Sequence, residues 1–188
     1  MKGILEFDTD QYDADDSGIF AIRGSLDGEN QEEYTEKVQC IGLKIREELF
    51  YLPISIVVEI VMLMPITYVP QSGRSIEGVM NLRGTILPVV NLRKLMGVEK
   101  GGATPSTRII IAKSHNYVVG FLVDAITYVV SLHPSDFEQN SMTGRGQGSE
   151  FIGGIAKDGE QIIGVLDTLK IIQSVAASDI DIAQEKQA

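Results

Sequence analysis

Apolar and polar positions along this chain alternate in short runs rather than at helical spacing. From Val38 onward these runs are rich in Val, Ile and Leu and are divided by Gly, Pro, Asn and Ser, which is the pattern of strands and turns. Residues 38–45 and 49–52 are predicted to form a hairpin about Arg46-Glu47-Glu48. Residues 55–60 read as a short helix with Glu59 exposed. Residues 62–69 read as a strand carrying Pro65, hence at an edge or a bend. After a loop at 70–74 comes EGVMNLRGTILPVVNLRKLM, residues 77–96. It predicts an approach strand, a turn at Asn81-Leu82-Arg83-Gly84, a β-branched strand over 85–90, and a helical turn capped by Asn91 and closed by Gly97. A Gly/Pro-rich connector at 100–106 leads to a hairpin of 108–113 with 117–124, a strand over 125–132, and a polar stretch at 133–149. A last hairpin of 151–156 with 161–166 follows, and then a helix that Asp167 can cap.

The scheme repeats. Residues 78–96 lie without gaps over residues 154–172, with Gly78 on Gly154, Ile86 on Ile162, Val89 on Val165 and Lys94 on Lys170. Both caps coincide, Asn91 on Asp167. Upstream, FYLPISIVVEIV aligns with VVGFLVDAITYV, so the repeat spans 41–96 and 109–172. The position of Arg83 is held by Gly159 in the second copy, so whatever Arg83 does belongs to one lobe. On spacing alone Arg83 is a solvated turn residue whose stem covers apolar surface.

The formal net charge of −10 changes this picture at one end only. Residues 1–37 carry −8 of it and the remainder −2, so an acidic extension expected to be flexible precedes a nearly neutral body over 38–175, with a polar helix or tail over 176–188. That balance argues against nucleic acid, which needs a basic surface. No apolar segment has the length or continuity of a membrane span or a signal peptide, which places the chain in the cytoplasm without direct membrane insertion. The one cysteine, Cys40, excludes an intrachain disulfide and a multi-cysteine zinc site.

Candidate chemistry is sparse. Asp13, Asp15, Ser17 and Gly18 match the first half of an EF-hand loop, but its twelfth position is Gly24 instead of a bidentate glutamate. His115 and His133 have no partner at metal-ligand spacing, the 143–148 glycine cluster misses the dinucleotide pattern, and no GxSxG elbow occurs. Neither a metal nor a cofactor is expected. The pattern is that of a binding module, with a small hydrolase as the competing class.

Residues 78–93, together with Val57-Val58-Glu59-Ile60, Val119-Gly120-Phe121-Leu122-Val123-Asp124, Phe151-Ile152-Gly153-Gly154 and Val165-Leu166-Asp167, resemble the CheW-like domain of bacterial chemotaxis over roughly 38–175. The resemblance implies a mainly β fold of two intertwined five-stranded SH3-like β-barrel lobes with short helices and a C-terminal helix. It implies a non-enzymatic coupler whose partners are the regulatory domain of a CheA-type histidine kinase, the cytoplasmic tip of methyl-accepting chemoreceptors, and other CheW-like domains, in arrays at the inner membrane. The receptor tip is then a helical hairpin in a groove between the lobes. Another chemosensory pathway, serving twitching, development or second-messenger control, is the alternative within the same family. By this resemblance Arg83, Val57, Glu59, Gly78 and Gly120 are receptor-coupling positions, and Asn81, Leu82 and Gly84 shape the turn. Two accounts of Arg83 stay open: contact with the receptor, or a brace on carbonyls of its own turn.

Overall fold

A computed structural model describes residues 37–98, 101–114, 117–139 and 148–176. The acidic extension, the EF-hand-like segment, the glycine cluster at 143–147 and the tail at 177–188 lie outside these residues. Among the described residues, eleven strands form two sheets. β1 (Val38–Ile45) and β2 (Glu48–Pro53) make the first hairpin, followed by β3 (Val57–Met62), β4 (Ile76–Leu82), β5 (Thr85–Asn91) and the short helix α1 (Leu92–Leu95). Then come β6 (Arg108–Ser114), β7 (Tyr117–Val123), β8 (Ala125–Leu132), β9 (Phe137–Gln139), β10 (Ile152–Asp158), β11 (Gln161–Leu166) and α2 (Thr168–Ala176). One sheet runs β3-β6-β7-β5-β4 and the other β8-β1-β2-β11-β10-β9. Each lobe therefore takes a hairpin from one half of the chain and completes it with strands from the other, which intertwines them.

The fold is mainly β in two lobes, as the sequence predicts, with two corrections. The sheets have five and six strands rather than five each, and neither ladder closes on itself. In each lobe the two edge strands are instead neighbours in the chain, β3 before β4 and β8 before β9, so the covalent chain carries the sheet round the corner. Thr67 makes the only ladder contact of residues 63–69: its N–H donates to Val79 O at 2.8 Å and its carbonyl accepts from Val79 N at 2.9 Å. In the other lobe Glu138 of β9 stands opposite Ile155, the counterpart of Val79.

Two local expectations fail. Residues 57–60 are strand, not helix: β3 alternates half-buried Val57, Glu59 and Val61 with exposed Val58, Ile60 and Met62, and pairs with β6. A β-branched run loses side-chain freedom in a helix and fits a pleated surface. Only Ile54–Ile56 coils, for one 3-10 turn. Residues 63–69 are not a strand beyond the Thr67 bridge, because Pro65 has no N–H to give a ladder.

Registers show how closely the halves correspond. β4 on β5 and β10 on β11 share one pattern: Gly78 faces Val89 as Gly154 faces Val165, and both ladders shift just before that glycine. Upstream the predicted alignment is off by one residue. Val89 faces Gly120 and Val165 faces Tyr51 across the parallel pairs, so Tyr51 corresponds to Gly120, Glu59 to Tyr128 and Ile60 to Val129. In a strand a one-residue slip exchanges the two faces, and side-chain periodicity alone does not detect it in a run buried on both sides.

The core follows the same plan. Met80, Leu87, Val89, Ile109 and Ile111 fill the first lobe, and Cys40, Tyr51, Ala156, Ile163 and Val165 fill the second together with Leu132 and Phe137. A larger cluster including Leu43, Leu52, Val90, Ile110, Phe121 and Ile171 lies between the lobes and joins them. Burial pushes the Cys40 thiol up to about 12, leaving it an inert core group.

Candidate functional site

The β4–β5 turn is a two-residue hairpin turn with both central residues at positive φ, which matches the twist of its strands. Gly84 supplies one (φ 94°), and its N–H donates to Asn81 Oδ1 at 2.8 Å. Arg83 supplies the other at φ 51°, a left-handed conformation that costs a side-chain-bearing residue about 1–2 kcal/mol. The matching turn of the second lobe puts Gly159 there at φ 60°. The arginine is thus held at a position where glycine is the easier residue.

Its guanidinium lies on Glu59 as a two-pronged pair, Nη1 to Oε1 at 3.1 Å and Nη2 to Oε2 at 2.8 Å. Glu59 belongs to β3, one edge of the five-stranded sheet, and Arg83 to the turn of β4 at the other edge. The pair spans the seam that the ladder leaves open. Glu59 is 24% exposed and Arg83 78%, so the carboxylate is seated while the cation stands in solvent with donors to spare. Of the two accounts of Arg83, bracing on carbonyls is not what is observed; the acceptor is a carboxylate.

Beside this pair the outward face of β3 is apolar. Val58 is 58% exposed and Met62 72%, with exposed Ile60 between them and Leu63 next in the chain. The corresponding face of β8 carries Thr127, Val129 and Ser131, and so has one apolar residue where β3 has three. An apolar strip rimmed by a paired, exposed arginine can take the apolar stripe of an amphipathic helix while the cation meets carboxylates or helix C-terminal carbonyls.

The sequence-predicted residues divide into two groups. Arg83 and Glu59 come together at the surface, with Val57 two residues away at the start of β3, where its side chain packs on the interlobe core. Gly78 and Gly120 are buried. Gly78 sits at φ 149°, and a Cβ there would stand 2.2 Å from Thr67 O; a Cβ on Gly120 would stand 2.8 Å from Ile109 Cγ2. Gly78 lets Thr67 approach β4, Gly120 lets Ile109 and Met80 pack over β7, and neither presents a side chain to a partner. Leu82 is half-buried against the first-lobe core, and Asn81 and Gly84 complete the turn.

Two arrangements were not visible in the sequence. Asp124, there an isolated carboxylate at a strand end, pairs with Arg93 of α1 and accepts from Arg46 N at 2.5 Å. Tyr51 and Tyr128 meet Asp158 at the second lobe's seam. Both join residues thirty or more positions apart, and the one-residue alignment slip hid the equivalence of Tyr128 with Glu59.

Residues 39–176 match the family model of the CheW-like domain. The chain belongs to the CheW-like domain family. It is similar to the chemotaxis protein CheW of Helicobacter pylori, 27% identical over 146 residues that cover 78% of this chain and 88% of that protein. Thermotoga maritima CheW is 30% identical over 144 residues, covering 77% of this chain and 93% of its own. Among solved structures, the crystal structure of the scaffolding protein TtCheW from Thermoanaerobacter tengcongensis superposes with a TM-score of 0.65 at 32% identity, covering 70% of this chain and 89% of that one. Among the described residues of this CheW-like chain, no group of three His, Cys, Asp or Glu side chains could hold a metal ion, and no helix is long and apolar enough to cross a membrane.

Proposed function

We propose that this CheW-like protein is a non-enzymatic scaffold of bacterial chemotaxis that couples the cytoplasmic tip of chemoreceptors to the regulatory domain of a CheA-type histidine kinase. In this reading it works in the cytoplasm, recruited to receptor arrays at the inner membrane. The observation that carries it is the Arg83–Glu59 pair beside the apolar face of β3. A strained arginine kept where the sister turn has glycine, paired across a seam yet largely exposed, is a recognition feature more than a stabilising one. The receptor hairpin supplies the apolar stripe, and Arg83 exchanges or shares Glu59 with a receptor carboxylate or carbonyl. Val57 and Gly120 act beneath this surface, and Gly78 acts where β4 meets Thr67. Similarity to scaffolding and chemotaxis CheW proteins supports the same reading.

The test is capture of the full chain by a receptor-tip fragment and, separately, by a kinase regulatory domain. Arg83→Ala and Glu59→Gln should weaken receptor capture while leaving the melting temperature within a few degrees. Unchanged receptor capture by both variants would sink the assignment of this surface. A second reading, a scaffold of another chemosensory pathway, is supported by similarity to Protein FrzA of Myxococcus xanthus, 24% identical over 110 residues and covering 58% of this chain and 69% of that one. Capture by receptors or kinases of one pathway and not another decides between the two.

A further inference from the structure

The chain passes between the lobes twice: through residues 54–56, from β2 to β3, and through Asp124 alone, from β7 to β8. At the second crossing a single side chain holds both lobes. Asp124 Oδ2 accepts from the backbone N–H of Arg46 at 2.5 Å, in the β1–β2 turn of the six-stranded lobe. Its own N–H donates to Lys44 O at 3.1 Å in the same hairpin. Oδ1 pairs with Nη2 of Arg93, on the helix that follows β5 in the five-stranded lobe. Both side chains are largely buried, 14% exposed for Arg93 and 16% for Asp124.

This arrangement occurs at one crossing only. By register Asp124 corresponds to Ser55, and Arg93 to Leu169, so the first crossing has no pair of charges to match it. Nor is the second crossing fully locked. Arg93 Nη1 donates to Gly102 O at 3.2 Å, but its Nε is buried without an acceptor. An unsatisfied buried donor weakens the hold on the guanidinium. An open pocket of about 460 Å³ adjoins the pair, lined by Leu63, Met64, Glu77 and Lys94 as well as by Arg93 and Asp124, so the side chain has room to swing away.

We propose that Asp124 is a positioning residue, a clasp that sets the angle between the lobes, and that breaking its pair with Arg93 lets the lobes reorient. Its bearing on signalling rests on the function proposed above: a receptor hairpin lying against both lobes selects one interlobe angle, and the clasp holds the free protein near it.

The experiment is a spin-label distance measurement on the full chain, with labels at Thr85→Cys and Gln161→Cys, exposed and equivalent positions of the two lobes; Cys40 is 0% exposed and stays unlabelled. The parent should give one narrow distance distribution. Asp124→Asn, which keeps an acceptor for Arg46 but loses the charge pair, should widen it roughly twofold or shift its maximum. Unchanged distances in a folded Asp124→Asn protein would overturn the proposal. Should that variant not fold, Arg93→Lys serves, since an ammonium does not reproduce the fork that reaches both Asp124 and Gly102; there too, unchanged distances overturn it. Receptor capture is measured on the same proteins. If the parent is not captured, the functional reading fails while the distance result stands. If a variant with widened distances is captured as tightly as the parent, the link between clasp and coupling fails.

Discussion

The two lobes solve one geometric problem with different chemistry. Each sheet curls until its edge strands approach across a seam. In the first lobe Glu59 of β3 takes Arg83 from the β4–β5 turn. In the second the equivalent of Glu59 is Tyr128, and the equivalent turn offers Asp158 and Gly159; Tyr128 and Tyr51 hydroxyls stand 3.5 and 2.5 Å from Asp158 Oδ2. The second seam is anchored from within, because Tyr51 rises out of the core. Burial first, then the bonds to Asp158 and Tyr128, raise the Tyr51 hydroxyl pKa, so it remains a donor. The first lobe has Gly120 where Tyr51 would be and fills the space with Met80 and Ile109 in place of Ala156 and Cys40. Beyond the Thr67 bridge to β4, its seam is held from outside, by an exposed ion pair. One duplicated scaffold thus yields a seam anchored in its core and a seam closed by an exposed ion pair.

That contrast breaks most readily at its anchor. Tyr51→Ala leaves a large cavity in the second lobe and two hydroxyl partners unsupported, and should cost about 3–5 kcal/mol in urea denaturation. Equal losses from Tyr51→Ala and Arg83→Ala would erase the distinction between the seams. Next in size is Gly78→Ala, whose new methyl meets Thr67 O at 2.2 Å in a left-handed backbone; roughly 2–3 kcal/mol of destabilisation is expected by the same measurement.

The helix caps extend the comparison to pH. In the second lobe Asp167 both caps α2, accepting from Lys170 N at 3.0 Å, and pairs with Lys170 Nζ at 3.2 Å. In the first lobe these jobs are divided: Asn91 caps α1, and Glu77 takes Lys94 Nζ at 2.9 Å and Asn91 Nδ2 at 2.8 Å. Burial opposes the Glu77 charge, but the bonds from Asn91 and Lys94 prevail and hold its pKa below the usual value. A carboxylate depressed in the folded state adds stability above its unfolded pKa of about 4.3 and loses it as pH falls through the lower folded value. Glu77→Gln should therefore cost about 1 kcal/mol at pH 7, with the gap from the parent closing below about pH 4 in denaturation curves. A gap that persists unchanged at pH 3 would place the effect in packing.

The smallest expected change in stability sharpens the comparison most. Arg83→Gly installs the second lobe's residue in the first. It relieves the left-handed strain, loses a largely exposed pair and loosens the unfolded chain, so stability should stay within about 1 kcal/mol of the parent. Receptor affinity should nonetheless fall about tenfold, equivalent to roughly 1.4 kcal/mol, in a binding titration. A large loss of stability would make Arg83 a structural residue first.

The sequence by itself determined the strands that alternate or run apolar between turn residues, both Asn91 and Asp167 caps, and the ungapped match of residues 78–96 with 154–172. Those features are local: turn geometry, cap chemistry and side-chain period act within a few residues. It also marked Arg83 as the asymmetric position, because a duplicated turn makes an unmatched residue visible. Only the tertiary structure decided that residues 57–60 are an edge strand, since pairing with β6 overrides a pattern short enough to fit helix or strand. It likewise decided the one-residue register that equates Tyr51 with Gly120, because a strand buried on both faces carries no period to set its phase. The pairings of Arg83 with Glu59, Asp124 with Arg93 and Asp158 with two tyrosines arise where the curling of a sheet or the crossing of lobes brings distant residues together. Long-range pairing of that kind is a property of the fold, and no local pattern encodes it.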